Sequence, residues 1–245
     1  MTKNHPILFL HGFTSSLDCI KFPVQALKQE GFSVSTPVLR GHNSNYQDLL
    51  GVKSEDWYED AQKELLKIHA DLQKPVMVAG LSMGGLVAIN LAMNHPDKIY
   101  CLALAAPALI FKDKLAPLAK YLNFFFKFWN SPNSFNSKEN KKKYNTNYSK
   151  FAVDSFVSLY NYSLTTRNKL DKLKTPFLVM HSFKDQVISH KGSKELIKKA
   201  RSEQKNIIFY SKSGHELYLD LEKDKVVKET ADYFLKMDKQ HELTE

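Results

Sequence analysis

Three side chains far apart in this 245-residue sequence have the types needed for nucleophilic acyl transfer: Ser82, Asp185 and His215. Ser82 sits in Gly80-Leu81-Ser82-Met83-Gly84, a G-x-S-x-G run entered directly from the apolar stretch Pro75 to Gly80. A serine held on a sharp strand-to-helix turn needs glycine two positions before and two after it, because side chains there would collide. The same turn sets the serine at a helix N-terminus, whose dipole favours developing negative charge. Asp185 and His215 each follow another apolar run by a few residues, giving the chain order nucleophile, acid, base. In that arrangement His215 takes the serine proton and Asp185 holds the imidazole in the working tautomer. Taken singly, each residue has a plainer reading, a glycine-rich turn with an incidental serine or an aspartate that caps a turn. Their joint occurrence after strand ends is what favours chemistry.

The competing histidines are less well placed: His181 ends a strand, His190 opens a helix, and His69 and His95 lie on or at helix ends. The first apolar run leaves through His11-Gly12-Phe13, where His11 reads as a hydrogen-bonded structural histidine. The backbone N–H groups of Phe13 and Met83 would face a tetrahedral oxyanion formed at Ser82.

Positioning these residues requires a sheet. Ile7 to Leu10, Phe32 to Thr36, Pro75 to Gly80, Ile99 to Ala105, Pro176 to His181 and Asn206 to Tyr210 read as six buried strands. Helical patterns alternate with them: from Pro23 to the stop at Gly31, from a Ser54 N-cap to Leu72, and from Ser82 to before Pro96. Two more run from about Ser189 to Arg201 and from about Leu221 to Met237. Strands apolar on both faces and separated by helices predict an α/β fold with a mostly parallel six-stranded sheet covered on both sides. The alternation fails in the middle, which divides the chain into a core of residues 1–110 and 171–245 and a helical cap of residues 111–170. Within the cap Leu115 to Trp129 and Phe151 to Leu164 read as helices, joined by the Asn-, Ser- and Lys-rich stretch Asn130 to Lys150, with no strand evident. A cap inserted between parallel strands lies over their carboxyl ends, where ligands bind.

The net charge of +9 belongs to that insertion: Lys112 to Lys174 holds 13 basic and four acidic residues, and the rest of the chain is balanced. With 32 Lys and three Arg, and no basic field elsewhere, nucleic-acid binding is excluded as the working reading. The lysines read as a solvated loop in preference to a membrane-surface contact. Cys19 and Cys101 have neither metal nor disulfide spacing. The four apolar residues before His11 are too few for a signal-peptide core, and the longest apolar stretch, Tyr100 to Phe111, is far short of a membrane span, so the expectation is a cytoplasmic protein.

Seven stretches carry a resemblance: HGFTSSLD (His11–Asp18), LRGHN (Leu39–Asn43), EDW (Glu55–Trp57), VAGLSMGG (Val78–Gly85), AAP (Ala105–Pro107), TPFLVMHSFKDQVI (Thr175–Ile188) and SGHELYLDLEKD (Ser213–Asp224). With them the chain resembles the α/β-hydrolases of the bacterial carboxylesterase and monoacylglycerol lipase family. The resemblance implies nucleophile, acid and base at Ser82, Asp185 and His215, and an oxyanion hole at Phe13 and Met83. It also implies cleavage of short- to medium-chain acyl esters, monoacylglycerols included, without metal or organic cofactor. The first strand is expected from Ile7, which leaves no room in this sequence for the N-terminal antiparallel hairpin expected from larger relatives, and the cap is the least matched part.

Phe13 and the cap residues Phe125, Phe128 and Trp129 are the candidates to contact substrate, although three consecutive Phe at 124–126 cannot all face one way. A feruloyl-type aromatic esterase, a thioesterase, an aminopeptidase or a carbon–carbon hydrolase would use the same triad. A haloalkane dehalogenase would carry Asp at position 82. A non-catalytic ligand receptor on this fold can lose its triad, which is intact here. Whether the protein is a monomer or a dimer is not encoded in these features.

Overall fold

The computed structural model describes residues 3–242; the outermost positions of the expected core, 1–2 and 243–245, lie outside them. Strand and helix alternate as β1 (Ile7–Leu10), α1 (Lys21–Gln29), β2 (Val34–Ser35), α2 (Ser54–Leu72), β3 (Val76–Leu81), α3 (Met83–Asn94) and β4 (Ile99–Ala105). An inserted segment then carries α4 (Ala119–Leu122), β5 (Phe128–Asn130), α5 (Lys138–Tyr144), β6 (Lys150–Ala152) and α6 (Val153–Arg167). The alternation resumes with β7 (Phe177–Ser182), α7 (His190–Lys199), β8 (Lys205–Tyr210) and α8 (Lys223–Glu242). The main sheet has the order β2-β1-β3-β4-β7-β8, and every pairing in it is parallel.

Strand periodicity divides the interior into two layers. Leu8, Leu10, Val76 and Val78 point to one face, where they pack with Trp57 and Leu65 of α2 and Leu86 and Ile89 of α3. Ile7, Phe9, Met77 and Ala79 point to the other, against Leu27 of α1 and Val226 and Phe234 of α8. All four positions of β1 and all six of β3 are buried, as strands covered on both faces must be. This burial is why the sequence reads there as unbroken apolar runs.

Three expectations need correction: the Ser54 N-cap, an unbroken helix over Leu115 to Trp129, and a cap without strands, which instead holds β5 and β6. Ser54 is the first residue of α2 rather than its cap; the residue before it, Lys53, donates its backbone N–H to the Asp56 carboxylate at 2.8 Å. The Ser54 hydroxyl instead meets Ser158 of α6 at 3.0 Å. The long helix expected over Leu115 to Trp129 is broken into a 3-10 turn at Ala116–Leu118, the single turn of α4, and strand β5. Phe124, Phe125 and Phe126 lie in the turn after α4 and stay exposed, so no buried apolar face holds this segment in a longer helix. Aromatic residues suit a pleated pair instead, and β5 pairs antiparallel with β6, Trp129 lying opposite Phe151. The stretch Asn130 to Lys150 also contains α5, capped by the Ser137 side chain accepting from the Asn140 N–H at 3.1 Å. Among the described residues no helix is long and apolar enough to cross a membrane.

Candidate active site

The turn between β3 and α3 places Ser82 at φ 54° and ψ −111°, a left-handed conformation in a residue other than glycine. Its strain is held by hydrogen bonds on both sides: Ser82 N–H donates to Ala105 at 2.9 Å, and its carbonyl accepts from Leu86 and Ala108, each at 3.1 Å. A Cβ at Gly80 would strike the Gly84 backbone, and one at Gly84 would strike the carbonyls of Leu10 and His11. The two glycines are therefore required by close backbone approach, as their spacing predicts. Met83 opens α3, so its amide belongs to the first helical turn, where no intrahelical acceptor exists.

His215 and Asp185 reach Ser82 from loops that follow β8 and β7. The Ser82 hydroxyl lies 2.9 Å from His215 Nε2, and His215 Nδ1 lies 2.7 Å from Asp185 Oδ2. With Asp185 ionised this fixes the tautomer: Nδ1–H donates to the carboxylate and Nε2 accepts from the serine. Asp185 is fully buried, and its Oδ1 accepts from the N–H groups of Val187 and Ile188, both at 2.8 Å. Its Oδ2 also faces Nε2 of the buried His181 at 3.2 Å, whose Nδ1 is 2.8 Å from the Ser193 hydroxyl. Burial would raise the Asp185 carboxyl, but the His215 charge and hydrogen bonds from His181 and His215 overcome it and hold the group well below the usual carboxylate range. Burial also opposes charge on His215, yet the Asp185 carboxylate, by charge and by hydrogen bond, raises its pKa above the ordinary value of 6.5.

His11 is fixed as a structural group. Its Nδ1 lies 2.9 Å from the Gly12 carbonyl, its Nε2 accepts from Leu39 N–H at 3.1 Å, and burial pushes its pKa down to about 4. This ties LRGHN to the exit of β1. Trp57 of EDW donates its indole N–H to the Arg40 carbonyl at 3.0 Å, and its ring meets that of Phe13 edge-on at 5.6 Å.

A cavity of about 420 Å³, within the range of small-molecule sites, opens on Ser82 and His215. Of the residues expected to contact substrate, Phe13 and Trp129 line it. Phe125 and Phe128 do not: Phe125 is 74% exposed, and Phe128 meets Tyr46 edge-on at 5.1 Å. Since β5 is a strand, successive side chains leave opposite faces, so Trp129 and Phe128 cannot both face the cavity. Its apolar wall is instead the connected group Phe13, Phe151, Phe156 and Phe111, with ring-to-ring separations of 5.2–5.9 Å.

The sequence reading missed several polar groups around the site. His181, which by sequence only ends a strand, stands four residues before Asp185, a spacing that brings it to that carboxylate. Glu216 adjoins His215, but adjacency alone does not reveal that its carboxyl is buried in the cavity wall, where Asn147 of the insertion donates to it at 2.7 Å. Burial raises the Glu216 pKa, against the pull of the His215 charge and the Asn147 hydrogen bond. Asp220 carries no local sequence signal either; its buried carboxylate accepts from Gly214 N–H at 2.6 Å, Asn136 N–H at 2.7 Å and Ser137 N–H at 3.0 Å.

The family model described as "Serine aminopeptidase, S33" matches residues 3–222. The chain is 26% identical over 243 residues to a thermostable monoacylglycerol lipase of Bacillus sp. (strain H-257), an alignment covering 96% of this chain and 92% of that one. It is 22% identical over 234 residues to a carboxylesterase of Bacillus subtilis (strain 168), covering 95% and 93%. Among solved structures it superposes with a TM-score of 0.89 on a chain from work on LipS and LipT, two metagenome-derived lipolytic enzymes, at 19% identity over 96% of this chain and 95% of that one. A soluble variant of monoglyceride lipase from Saccharomyces cerevisiae, in complex with a substrate analog, superposes with a TM-score of 0.85 at 16% identity, covering 96% and 87%.

Proposed function

The chain belongs to the Serine aminopeptidase S33 family and has the α/β-hydrolase fold, and from that premise we propose that it is a serine carboxylic-ester hydrolase acting through Ser82, His215 and Asp185. The observation that carries the reading is the continuous hydrogen-bonded chain from Ser82 through His215 to a fully buried Asp185, opening on an aromatic-walled cavity.

His215 Nε2 removes the Ser82 proton as Oγ attacks the ester carbonyl, and the resulting imidazolium is stabilised by Asp185. The N–H groups of Phe13 and Met83 receive the oxyanion; losing one donor of such a hole typically costs about 10²–10³ in rate. His215 returns its proton to the leaving alcohol, then activates the water that hydrolyses the acyl-enzyme. The acyl chain lies along Phe13, Phe151, Phe156 and Phe111, a wall suited to short- and medium-length chains. Monoacylglycerols are included in this substrate range on the strength of the Bacillus lipase relative. The test is a series of p-nitrophenyl esters and monoacylglycerols of increasing acyl length, with a feruloyl ester and an aminoacyl anilide as competitors. Hydrolysis of the aliphatic esters, lost by roughly 10⁴-fold or more in Ser82→Ala while circular dichroism is retained, supports the reading. Preference for the feruloyl ester or the anilide would replace it.

A further inference from the structure

Glu216 is an ionisable group in the cavity to which ester cleavage itself gives no task. It is 4% exposed, follows His215 directly and lines the same cavity as Ser82. Its carboxyl is half satisfied: Oε1 accepts from Asn147 Nδ2 at 2.7 Å, whereas Oε2 is buried without a hydrogen-bond partner among the described residues. Such a group is costly to keep unless something completes it. Its holder is also fixed. Asn147 Oδ1 accepts from the Ser15 hydroxyl at 2.6 Å, and Asn147 Nδ2 also donates to Ser134 Oγ at 3.1 Å. Three segments thus converge to orient one acceptor: the exit of β1, the insertion, and the His215 loop.

The reaction sets which part of the substrate meets it. The leaving oxygen must take its proton from His215 Nε2, so the alcohol portion departs on the His215 side. Glu216, Asn147 and Ser134 form the polar side of the cavity there, while the aromatic group is the apolar one. A cationic alcohol would sit beside the imidazolium that forms during each step, whereas a neutral hydroxyl avoids that repulsion.

We propose that the Glu216 carboxyl, oriented by Asn147, is the specificity-determining acceptor for a free hydroxyl on the alcohol portion of the substrate. Esters of polyols are then preferred to esters of simple alkanols with the same acyl chain. This assignment rests on the esterase reading above.

The experiment compares kcat/KM for 1-monobutyrylglycerol, methyl butyrate and butyrylcholine in the wild type, Glu216→Gln and Glu216→Leu. The glycerol ester should exceed the methyl ester by about tenfold or more in the wild type, and Glu216→Leu should bring that ratio towards one, with Glu216→Gln between them. A ratio unchanged by Glu216→Leu, whatever the absolute rates, overturns the assignment. So does a preference for butyrylcholine that Glu216→Leu abolishes, because the carboxyl would then read a cation. Free glycerol provides a readout that needs no variant: it should inhibit wild-type methyl butyrate hydrolysis at lower concentration than 1-propanol, and equal inhibition counts against the proposal. A wild type inert on all three esters removes the esterase reading and this assignment together; a flat ratio in an active enzyme removes only the latter.

Discussion

Residues around Ser134 and residues around Phe125 belong to the same insertion, yet they relate differently to the loop that carries His215. The Ser134 carbonyl accepts from the N–H groups of His215 at 2.8 Å and Glu216 at 3.2 Å, and Asp220 clasps Asn136 and Ser137 to Gly214. The other part presents Phe124, Phe125 and Phe126 at 88%, 74% and 53% exposure. The difference teaches that the insertion is placed over His215 by backbone N–H and C=O groups together with the Asp220 carboxylate, a set of contacts that no local sequence pattern announces. Its most conspicuous apolar residues contribute little to that placement.

The largest break should come within the loops that carry Asp185 and His215. Asp185→Asn removes the charge that fixes the His215 tautomer and should lower kcat/KM by roughly 10⁴-fold. The accompanying pH profile is a sharper test. His215 must be neutral to act as base, and Asp185 favours its charged form. Wild-type kcat/KM should therefore rise with pH through an inflection above 6.5, and the residual activity of Asp185→Asn should show that inflection at lower pH. Next in size is the core that carries these loops: Phe177→Ala, at a fully buried position of β7, should cost about 3–5 kcal/mol in chemical denaturation.

The clasp between insertion and catalytic loop follows. Asp220→Ala leaves three N–H groups without their acceptor and should cost about 3 kcal/mol, together with a fall in kcat as the His215 loop loosens. A stability loss with kcat unchanged would show that the clasp does not position His215. Smallest is the aromatic tip, where Phe125→Ser should change stability by no more than about 0.5 kcal/mol. A loss comparable to that at Phe177 would erase the contrast between the two regions.

The same contrast explains which features were legible in the sequence. Strands β1, β3, β4 and β7 are buried on both faces, so their apolar runs mark them directly, and Gly80 and Gly84 mark the turn at Ser82 by the collisions they avoid. Chain order then points to Asp185 and His215, which the structure joins to Ser82 by hydrogen bonds. The insertion offered no such signal. Trp129 faces the cavity while Phe128 does not because of a two-stranded pairing only three residues long, too short to leave a period. Glu216, Asn147 and Asp220 act through contacts between segments distant in sequence, and nothing in their local context reveals the partner.

The central claim is that Ser82 is a nucleophile activated by His215. A fluorophosphonate probe followed by peptide mass spectrometry tests it most directly. The account predicts a single phosphonyl adduct on the peptide bearing Ser82, formed rapidly in the wild type and slowed by orders of magnitude in His215→Ala. An unlabelled Ser82, or labelling that proceeds equally well without His215, would contradict it.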